Sequence, residues 1–516
     1  MSGSVPAIWA SATVGDICDP VAKTGPDKSK LTFKYVDLSS IDRATGKIAG
    51  ATTVEMSAAP SRAKQVLKSG DVLFSNVRVY LENIAQVSPD LEGEIGSTAF
   101  CVLRPTGGIN ARYLYHYVSS RKFVLAVNAL QRGNSPPSVQ DSDVREQILP
   151  VAPTNEQHRI VSKIDELFSR IDGGEQALER VAKLVERYRQ SVLKAAVTGE
   201  LTRDWREARK RAGEPMESGA ALLARILKAR RAAWERAEIA KLKAKGKTPT
   251  DDRWKQKYQE PAPPNTTDLP ELPEGWVWAG IDQVLQPTGD AMKTGPFGSL
   301  LKKHEHVSDG IPVLGIENVK ARRFISGSNI HITLVKAAEL VGYRVVPGDV
   351  LISRSGTVGD VCVVPEEIGD ARISTNLMKM TLAQDGLLPD FFACQIYGSP
   401  TVLDRINAMC KGSTRSFLNQ AILRAIAFAL PPIREQQEAM RKIVSSEEDA
   451  ESLVRDMHDG VRRATALRQS ILKAAFCGQL VPQDPNDEPA SKLLERIAAE
   501  RANTAPPQRK RTRKTT

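Results

Sequence analysis

The chain has 516 residues, 41% of them hydrophobic and 26% charged, which is typical of a folded protein but too long for a single hydrophobic core. No basic segment followed by an apolar run opens the sequence, and no stretch is apolar for long enough to cross a bilayer, so we expect neither a secretory leader nor a transmembrane helix. The six cysteines are scattered and form no Cys-x-x-Cys pair, which argues against a disulfide framework or a cysteine zinc site and favours a reducing cytoplasm.

The net charge of +11 is concentrated in two segments. Residues 203–257 carry 17 Lys and Arg against 8 Asp and Glu, and residues 509–514 add five more positive charges. The remainder of the chain is therefore slightly acidic. The two basic segments are either a solvated helix face and a disordered tail, or surfaces that attract a polyanion such as DNA or RNA.

In chain order, the first predicted element is an α+β globule. Short β-rich runs bounded by turn signals, such as GDVLF and AFCVL, accompany helical patterns such as ARYLYHYVSSRKFVLAVNAL. A long helix follows, for which Thr154 and Gln157 predict a capping box at the start and Gly199 predicts a stop. A basic helical segment and the proline-rich linker EPAPPNTTDLPELPEG come next.

The same order of elements then recurs, which indicates two homologous halves. RQSVLKAAVTGEL at 189–201 and RQSILKAAFCGQL at 468–480 share nine of thirteen residues, where composition alone would give about one. At nearly the same offset, PTNEQ matches PIREQ and SGDVLFS matches PGDVLIS. The predicted segments are globule 1–150, long helix 151–200, basic segment and linker 201–275, globule 276–430, long helix 431–480, and a C-terminal helix with a disordered basic tail 481–516.

Both long helices carry apolar residues at heptad spacing. Two helices of equal length and matched register predict an antiparallel coiled coil that separates the globules with pseudo-twofold symmetry, although each helix could instead pack only on its own globule. The predicted seam consists of Ile160, Ile164, Leu167, Ile171, Leu178, Val181, Val185, Tyr188, Val192, Ile443, Leu453, Met457, Leu467 and Ile471.

The sequence offers no convincing catalytic, cofactor or metal site. KLKAKGKT lacks the first glycine of a phosphate-binding loop, and the glycines of SGTVGD have the wrong spacing for a dinucleotide fingerprint. His304 and His306 have no carboxylate motif around them, so an exposed strand or loop is favoured over a metal site.

The ordered motifs resemble those of the specificity subunit of Type I restriction-modification systems, the HsdS family. In the second half they are LPELPEGWVW, KTGPFGSLLKK, PGDVLISRSGTVGD, KGSTRSFLNQAIL and LPPIREQQ. In the first half they are SGDVLFSNVRVYLENIAQV, RGNSPPSV and ILPVAPTNEQHRIV, and both halves close with RQSxLKAAxxGxL. The resemblance implies two target recognition domains, each binding one half of a bipartite, asymmetric site on double-stranded DNA. It also implies that the paired helices set the number of unread base pairs between the two halves.

The resemblance further implies a non-catalytic subunit of a bacterial or archaeal complex in the cytoplasm. Two modification subunits would bind S-adenosylmethionine and methylate adenine, while restriction subunits would use ATP and Mg for translocation and cleavage. No cofactor is expected in this chain itself.

Polar and basic side chains in glycine-containing loops are the candidates for DNA contact, because they can bond base edges or phosphates. Alternatively, the GDVL and SGTVG motifs are framework turns, or the chain is a protein scaffold that never reads DNA, or it is a stand-alone enzyme. The candidates are Asn76, Arg78, Tyr80, Arg132, Asn134, Ser135, Lys293, Thr294, Arg354, Ser355, Thr357, Lys411, Ser413, Thr414 and Arg415.

Overall fold

The computed structural model describes residues 6–43, 45–133, 135–246, 249, 251–356, 358–383, 386–410 and 418–504. The chain divides into two compact units, Met1–Arg180 with Met457–Thr516, and Val181–Asp456. Each unit contains one α+β domain and a part of both long helices. Among the described residues, none of the helices combines the length and the apolarity that spanning a membrane requires.

The domain of the first unit is built on two four-stranded sheets. One sheet has the order Thr52–Glu55, Thr32–Val36, Ile95–Ser97 and Ala63–Val66, with its central pair parallel and the other pairs antiparallel. The other is antiparallel, in the order Cys18–Asp19, Phe100–Pro105, Val72–Ser75 and Ile84–Gln86. Two antiparallel pairs complete the strands: Ala10–Thr13 with Ile148–Val151, and Ile41–Asp42 with Lys47–Ile48. The α-helices of this domain are Ala111–Val118, Arg121–Asn128 and Asp141–Arg145.

The domain of the second unit repeats this topology. Its four-stranded sheet has the order Met292–Thr294, Leu377–Met380, Val350–Ser353 and Val361–Val363. Its three-stranded sheet has the order His331–Ile332, Ile311–Leu314 and Arg372–Ile373, again with one parallel pair. Val277–Gly280 pairs with Ala427–Leu430, and Val319–Lys320 pairs with Arg323–Phe324. The α-helices are Ile281–Val284, Leu334–Glu339, Pro389–Gly398, Pro400–Cys410 and Gln420–Arg424.

Two long helices of 44 residues each, Thr154–Val197 and Ile433–Phe476, are shared between the units. In the first unit they pack together and against the domain core, where the Phe476 ring meets Tyr113 edge to face at 5.2 Å. Arg468 forms ion pairs with Asp172 and, at 2.7 Å, with Glu175 of the facing helix. In the second unit, Leu193, Ala196 and Ile443 form the corresponding buried contact between the helices. These pairings run antiparallel, as the sequence predicts.

The first long helix begins at Thr154, but the predicted capping box is wrong. The buried Gln157 side chain instead donates to the Ala152 carbonyl at 2.8 Å and accepts from the Asn110 backbone N–H at 2.9 Å, so it fastens the helix start to the domain. At the other end, Gly199 adopts φ +79°, a left-handed conformation that ends the helix as predicted.

The seam between the long helices departs from the predicted heptad at some positions. Ten predicted seam residues are buried or partly buried: Ile160, Ile164, Leu167, Ile171, Leu178, Val185, Val192, Ile443, Met457 and Ile471. The prediction is wrong for four that are between 36% and 51% exposed, namely Val181, Tyr188, Leu453 and Leu467.

A shorter helix follows each long one and packs on the domain of its own unit. Gly219–Ala244 inserts Leu222 and Ile226 into the core of the second unit, and Ala490–Thr504 inserts Leu493 and Ile497 into that of the first. A third helix, Arg203–Arg211, lies between the first long helix and Gly219. The predicted basic segment therefore contains two helices, of which the longer belongs to the second unit.

Candidate nucleic-acid interface

The GDVL motif of each domain is a framework turn. Gly70 and Gly348 adopt φ of +86° and +80°, a conformation that glycine adopts at little cost. The buried carboxylate of Asp71 accepts from the Lys68 backbone N–H at 2.8 Å, and that of Asp349 accepts from Val346 at 3.0 Å. The motif thus holds the start of a buried strand, which is the alternative that the sequence left open.

The turn that follows this strand has the same backbone hydrogen bonds in both domains. In the first domain, the Asn76 N–H donates to the Ala99 carbonyl at 2.9 Å, and the Asn76 carbonyl accepts from Val139 at 2.8 Å. In the second domain, the Arg354 N–H donates to the Asn376 carbonyl at 3.0 Å, and the Arg354 carbonyl accepts from the Leu418 N–H at 3.1 Å.

A serine closes each of these turns in the same way. The Ser75 hydroxyl donates to the Val77 carbonyl at 2.7 Å, and the Ser353 hydroxyl donates to the Ser355 carbonyl at 2.9 Å. Asn76 and Arg354 therefore occupy equivalent positions on one backbone scaffold, with side chains of different chemistry.

Asn76 is a positioning residue rather than an exposed contact. Its side chain is buried, and its amide donates to the Asp141 carboxylate at 2.6 Å. Lys23 forms an ion pair with the same carboxylate at 3.1 Å. We therefore correct the predicted direct DNA contact at Asn76. Its side chain links the turn to the helix Asp141–Arg145.

Arg78 and Tyr80, by contrast, project from this turn to solvent. Arg78 adopts φ +50°, an unfavourable conformation for a non-glycine residue, and its backbone N–H donates to the Pro137 carbonyl at 2.9 Å. Its side chain is exposed, as is that of Tyr80 at 54%. A strained backbone that presents an exposed cation beside an exposed aromatic ring is a feature of binding surfaces.

The structure brings the second predicted loop of the first domain against the first. Arg132 exchanges backbone hydrogen bonds of 2.8 and 3.0 Å with Ser138, and Ser138 in turn bridges to Val77. The Arg132 guanidinium is exposed but held by Asp143 at 2.9 Å. Ser135 lies exposed on the same surface. Asn134 lies outside the described residues.

In the second domain, Arg354 is held between an aromatic ring and the backbone. Its guanidinium carbon lies 4.8 Å from the Phe297 ring centroid, and Nη1 donates to the Thr375 carbonyl at 3.3 Å. Partial burial lowers the pKa of Arg354, yet Phe297 remains 50% exposed. Ring and guanidinium together form a flat, cationic surface of the kind that stacks on bases.

The other predicted residues of the second domain lie near this pair. Lys293 forms an ion pair with Asp290 at 2.7 Å, and this hydrogen bond raises the pKa of its ammonium group. Thr294 accepts from Gln420 at 3.1 Å, and the Ser355 hydroxyl donates to the Asn376 side chain at 2.9 Å. Five predicted contacts lie outside the described residues: Thr357, Lys411, Ser413, Thr414 and Arg415.

Two residues of this surface, Lys23 and Phe297, were not among the predicted contacts, and only Lys23 carried a sequence signal. The tetrapeptide KTGP occurs twice, at Lys23 and at Lys293, but only the second copy was chosen. Lys23 is more than half exposed and lies beside the Asn76 turn through Asp141. Phe297, three residues after Thr294, carried no pattern of its own. Its role follows only from the packing of Arg354.

The histidine pair of the second domain, His304 and His306, does not lie in a buried site. His304 is exposed in the 3-10 turn Lys303–Glu305, and His306 follows it. Over the part of the chain that the structure describes, no three His, Cys, Asp or Glu side chains group closely enough to hold a metal ion.

The fold and the two turns define a class of protein: duplicated α+β modules with one scaffold and different surface side chains, joined to long antiparallel helices. The family model described as the Type I restriction modification DNA specificity domain matches residues 6–182 and 298–449. Because these ranges cover more than half of the chain, the chain belongs to this family, as the sequence motifs predict.

Relatives and solved structures agree with this membership. The StySPI specificity subunit of Salmonella potsdam is 22% identical over 521 residues, covering 97% of each chain, and the EcoBI specificity subunit of Escherichia coli is 23% identical over 76% of this chain and 72% of its own. A structure of the HsdS subunit from Thermoanaerobacter tengcongensis superposes with a TM-score of 0.53 at 24% identity, covering 92% and 98% of the two chains. A chain from a study of assembly and conformational transition in the type I R-M system reaches 0.64 at 24% identity, covering 92% and 99%. The structural likeness confirms the predicted fold class.

Proposed function

We propose that this chain is the DNA specificity subunit of a Type I restriction-modification complex. Each α+β domain reads one half of a bipartite, asymmetric site on double-stranded DNA. Methylation and cleavage are carried out by partner subunits and not by this chain.

One observation carries the proposal: the two domains share a backbone scaffold but present different side chains from it. Around the equivalent turns, the first domain exposes Arg78 and Tyr80, whereas the second presents Arg354 against the half-exposed Phe297. A scaffold that only bound one kind of partner twice would gain nothing from this difference. Two readers of two different base sequences require it, because base edges are distinguished by their donor and acceptor patterns.

The paired long helices supply the spacing in this proposal. A continuous helix of 44 residues is about 66 Å long. We propose that this length fixes the number of base pairs left unread between the half-sites.

The partners follow from the family. The modification subunits named in the resemblance would bring S-adenosylmethionine, and restriction subunits would bring ATP and Mg. The two closing motifs, near Gly199 and Gly478, end their helices alike with φ of +79° and +70°, so they offer equivalent surfaces to two copies of one partner.

Selection of binders from a pool of random duplexes tests the proposal, with the chain assembled with its modification subunit. We expect enrichment of two short, different sequences separated by a gap of constant length. Enrichment of no sequence would favour the protein-scaffold alternative. Methyl transfer from S-adenosylmethionine by the purified chain without any partner would favour the enzyme alternative.

The same reagents test the contribution of the partner. Because the domains are close to neutral overall, affinity of the chain alone should be modest and sensitive to salt. Equal affinity for the selected duplex with and without the modification subunit would contradict this part of the proposal.

A further inference from the structure

The helix Gly219–Ala244 extends well past the point at which its counterpart in the other unit ends. Arg230 and Arg501 occupy equivalent places, donating to the carbonyls of Leu285 at 3.1 Å and Cys18 at 2.6 Å. Beyond Arg501, the described helix has three more residues, whereas fourteen follow Arg230. Residues 231–260, hereafter the basic extension, have no counterpart among the described residues of the other half.

Aromatic packing joins the two described parts of the basic extension, residues 231–246 and 251–260. The Trp234 and Trp254 rings stack with centroids 6.1 Å apart, and the Tyr258 ring lies 5.2 Å from Trp234. The Tyr258 hydroxyl accepts a hydrogen bond from the Arg230 guanidinium at 2.9 Å, so the segment around Tyr258 is fastened to the helix Gly219–Ala244. Its charged groups are therefore positioned before any ligand arrives.

Positive charge exceeds negative charge in this segment, nine Lys and Arg against five Asp and Glu. Every carboxylate is already occupied by a neighbour of the segment. The pairs are Glu235 and Glu260 with Arg231, Glu238 with Lys241, Asp251 with Arg253, and Asp252 with Lys255. Four cations remain exposed and have no ion pair within the described chain: Arg236, Lys243, Lys245 and Lys257.

Two of these cations lie on one face of the helix. At 100° and 1.5 Å per residue, Arg236 and Lys243 are about 20° apart around the axis and roughly 10 Å apart along it. The same geometry places Trp234 roughly on the opposite side. The aromatic cluster and the unpaired cations thus occupy different faces, and the cationic face is turned away from the packed one.

The chemistry of this face fits a polyanion better than a protein. Between its cations lie alanines, such as Ala237 and Ala240, and no large apolar side chain of the described extension is strongly exposed. Protein interfaces are centred on apolar and aromatic groups and are poor in lysine. Exposed cations without an ion-pair partner, such as Arg236 and Lys243, are the groups that bind phosphates.

We propose that the basic extension binds the phosphate backbone of duplex DNA without reading its sequence, next to the site that the domains recognise. This inference rests on the proposed function, since DNA must be a ligand of the chain.

Two matched variants, each with two cations replaced by neutral glutamine, test the proposal in the full chain assembled with its modification subunit. Arg236→Gln with Lys243→Gln removes two unpaired cations, and Lys241→Gln with Arg253→Gln removes two paired ones, so both variants lose the same net charge. Binding to a duplex of random sequence is measured at several salt concentrations between 50 and 300 mM, roughly the range over which phosphate contacts are screened. We expect the first variant to lower the slope of log affinity against log salt by about 1.8, or about 0.9 for each lost contact, and the second to keep the wild-type slope.

Equal slopes for the two variants would overturn the proposal. The proposal would also fail if the variant Arg236→Gln with Lys243→Gln no longer bound the modification subunit but kept the wild-type salt slope. The face would then bind protein and not DNA. Sequence selection with the first variant separates this inference from the proposed function. We expect the selected half-sites to be unchanged. If neither wild type nor variant selects any sequence but their slopes differ, the proposed function fails and the phosphate contact stands.

Discussion

The start of each long helix depends on one buried glutamine, and replacing it should loosen one unit alone. Gln157 and Gln436 are fully buried and make equivalent bonds. Gln157 bonds to the Ala152 carbonyl and the Asn110 N–H at 2.8 and 2.9 Å, as described above. Gln436 donates to the Pro431 carbonyl at 3.0 Å and accepts from the Leu388 N–H at 2.9 Å.

The magnitude follows from the groups left without partners. Gln157→Ala deprives one buried carbonyl and one backbone N–H of their bonds, at about 1–3 kcal/mol each, so we expect a loss of about 2–6 kcal/mol in the first unit. Gln436→Ala should cost the second unit a similar amount. Gln190→Ala is the matched control, because this side chain is exposed and bonds only to Glu186, one turn away, in a contact worth less than about 0.5 kcal/mol.

Hydrogen exchange resolved by mass spectrometry is the appropriate assay, because a chain of two units has no single free energy of unfolding. Gln157→Ala should raise exchange about 30-fold or more in peptides of the first unit and leave those of the second unchanged. Gln436→Ala should do the reverse. If Gln157→Ala exchanges like Gln190→Ala, the two bonds do not hold the helix start and the reasoning is refuted.

Three further predictions concern the reading turn, a buried histidine and the spacing. Arg78→Gly should stabilise the first unit by about 1 kcal/mol, because glycine adopts the left-handed backbone without strain. The same variant should bind DNA about 10-fold or more weakly. If it binds DNA as the wild type does, Arg78 is not part of the interface. Burial lowers the pKa of His116, so only the unfolded state gains its proton as the pH falls below about 6.5, and stability of the first unit should drop between pH 7 and 5. His116→Gln should flatten that drop, measured as the protection of first-unit peptides against hydrogen exchange, and an equal drop in both proteins would contradict the assignment. Inserting seven residues into the middle of both long helices should lengthen them by about 10 Å and widen the unread gap by roughly three base pairs, and an unaltered gap would refute the spacer role.

The long helices were predictable because their signals are local. Apolar spacing and the glycine stop placed the first helix at 151–200, and the structure has it at Thr154–Val197. The details of its seam were not predictable in the same way. Only the packed structure shows that Val181 and Tyr188, although at heptad positions, are exposed to solvent.

The surface around the turn was half predictable. Sequence placed the candidate segments at the turn, since the duplicated GDVL motif marks it in both domains. It could not separate Asn76 from Arg78, because the partner that buries Asn76 is Asp141, 65 residues further along the chain. Tertiary contacts of that range leave no periodic trace in a single sequence.

Exchange of one domain for the other within this chain tests the central claim most directly. Residues 281–426, copied in place of 14–147, leave both flanking strand pairs intact, because Ala10–Thr13 with Ile148–Val151 and Val277–Gly280 with Ala427–Leu430 lie outside the exchanged segments. The measurement is the position of methylated adenines in the genome of a cell that carries this chain and its partners. Two identical half-sites, matching the half-site that the second domain reads in the wild type, are the predicted result. Retention of the original two different half-sites would contradict the claim that each domain reads its own half.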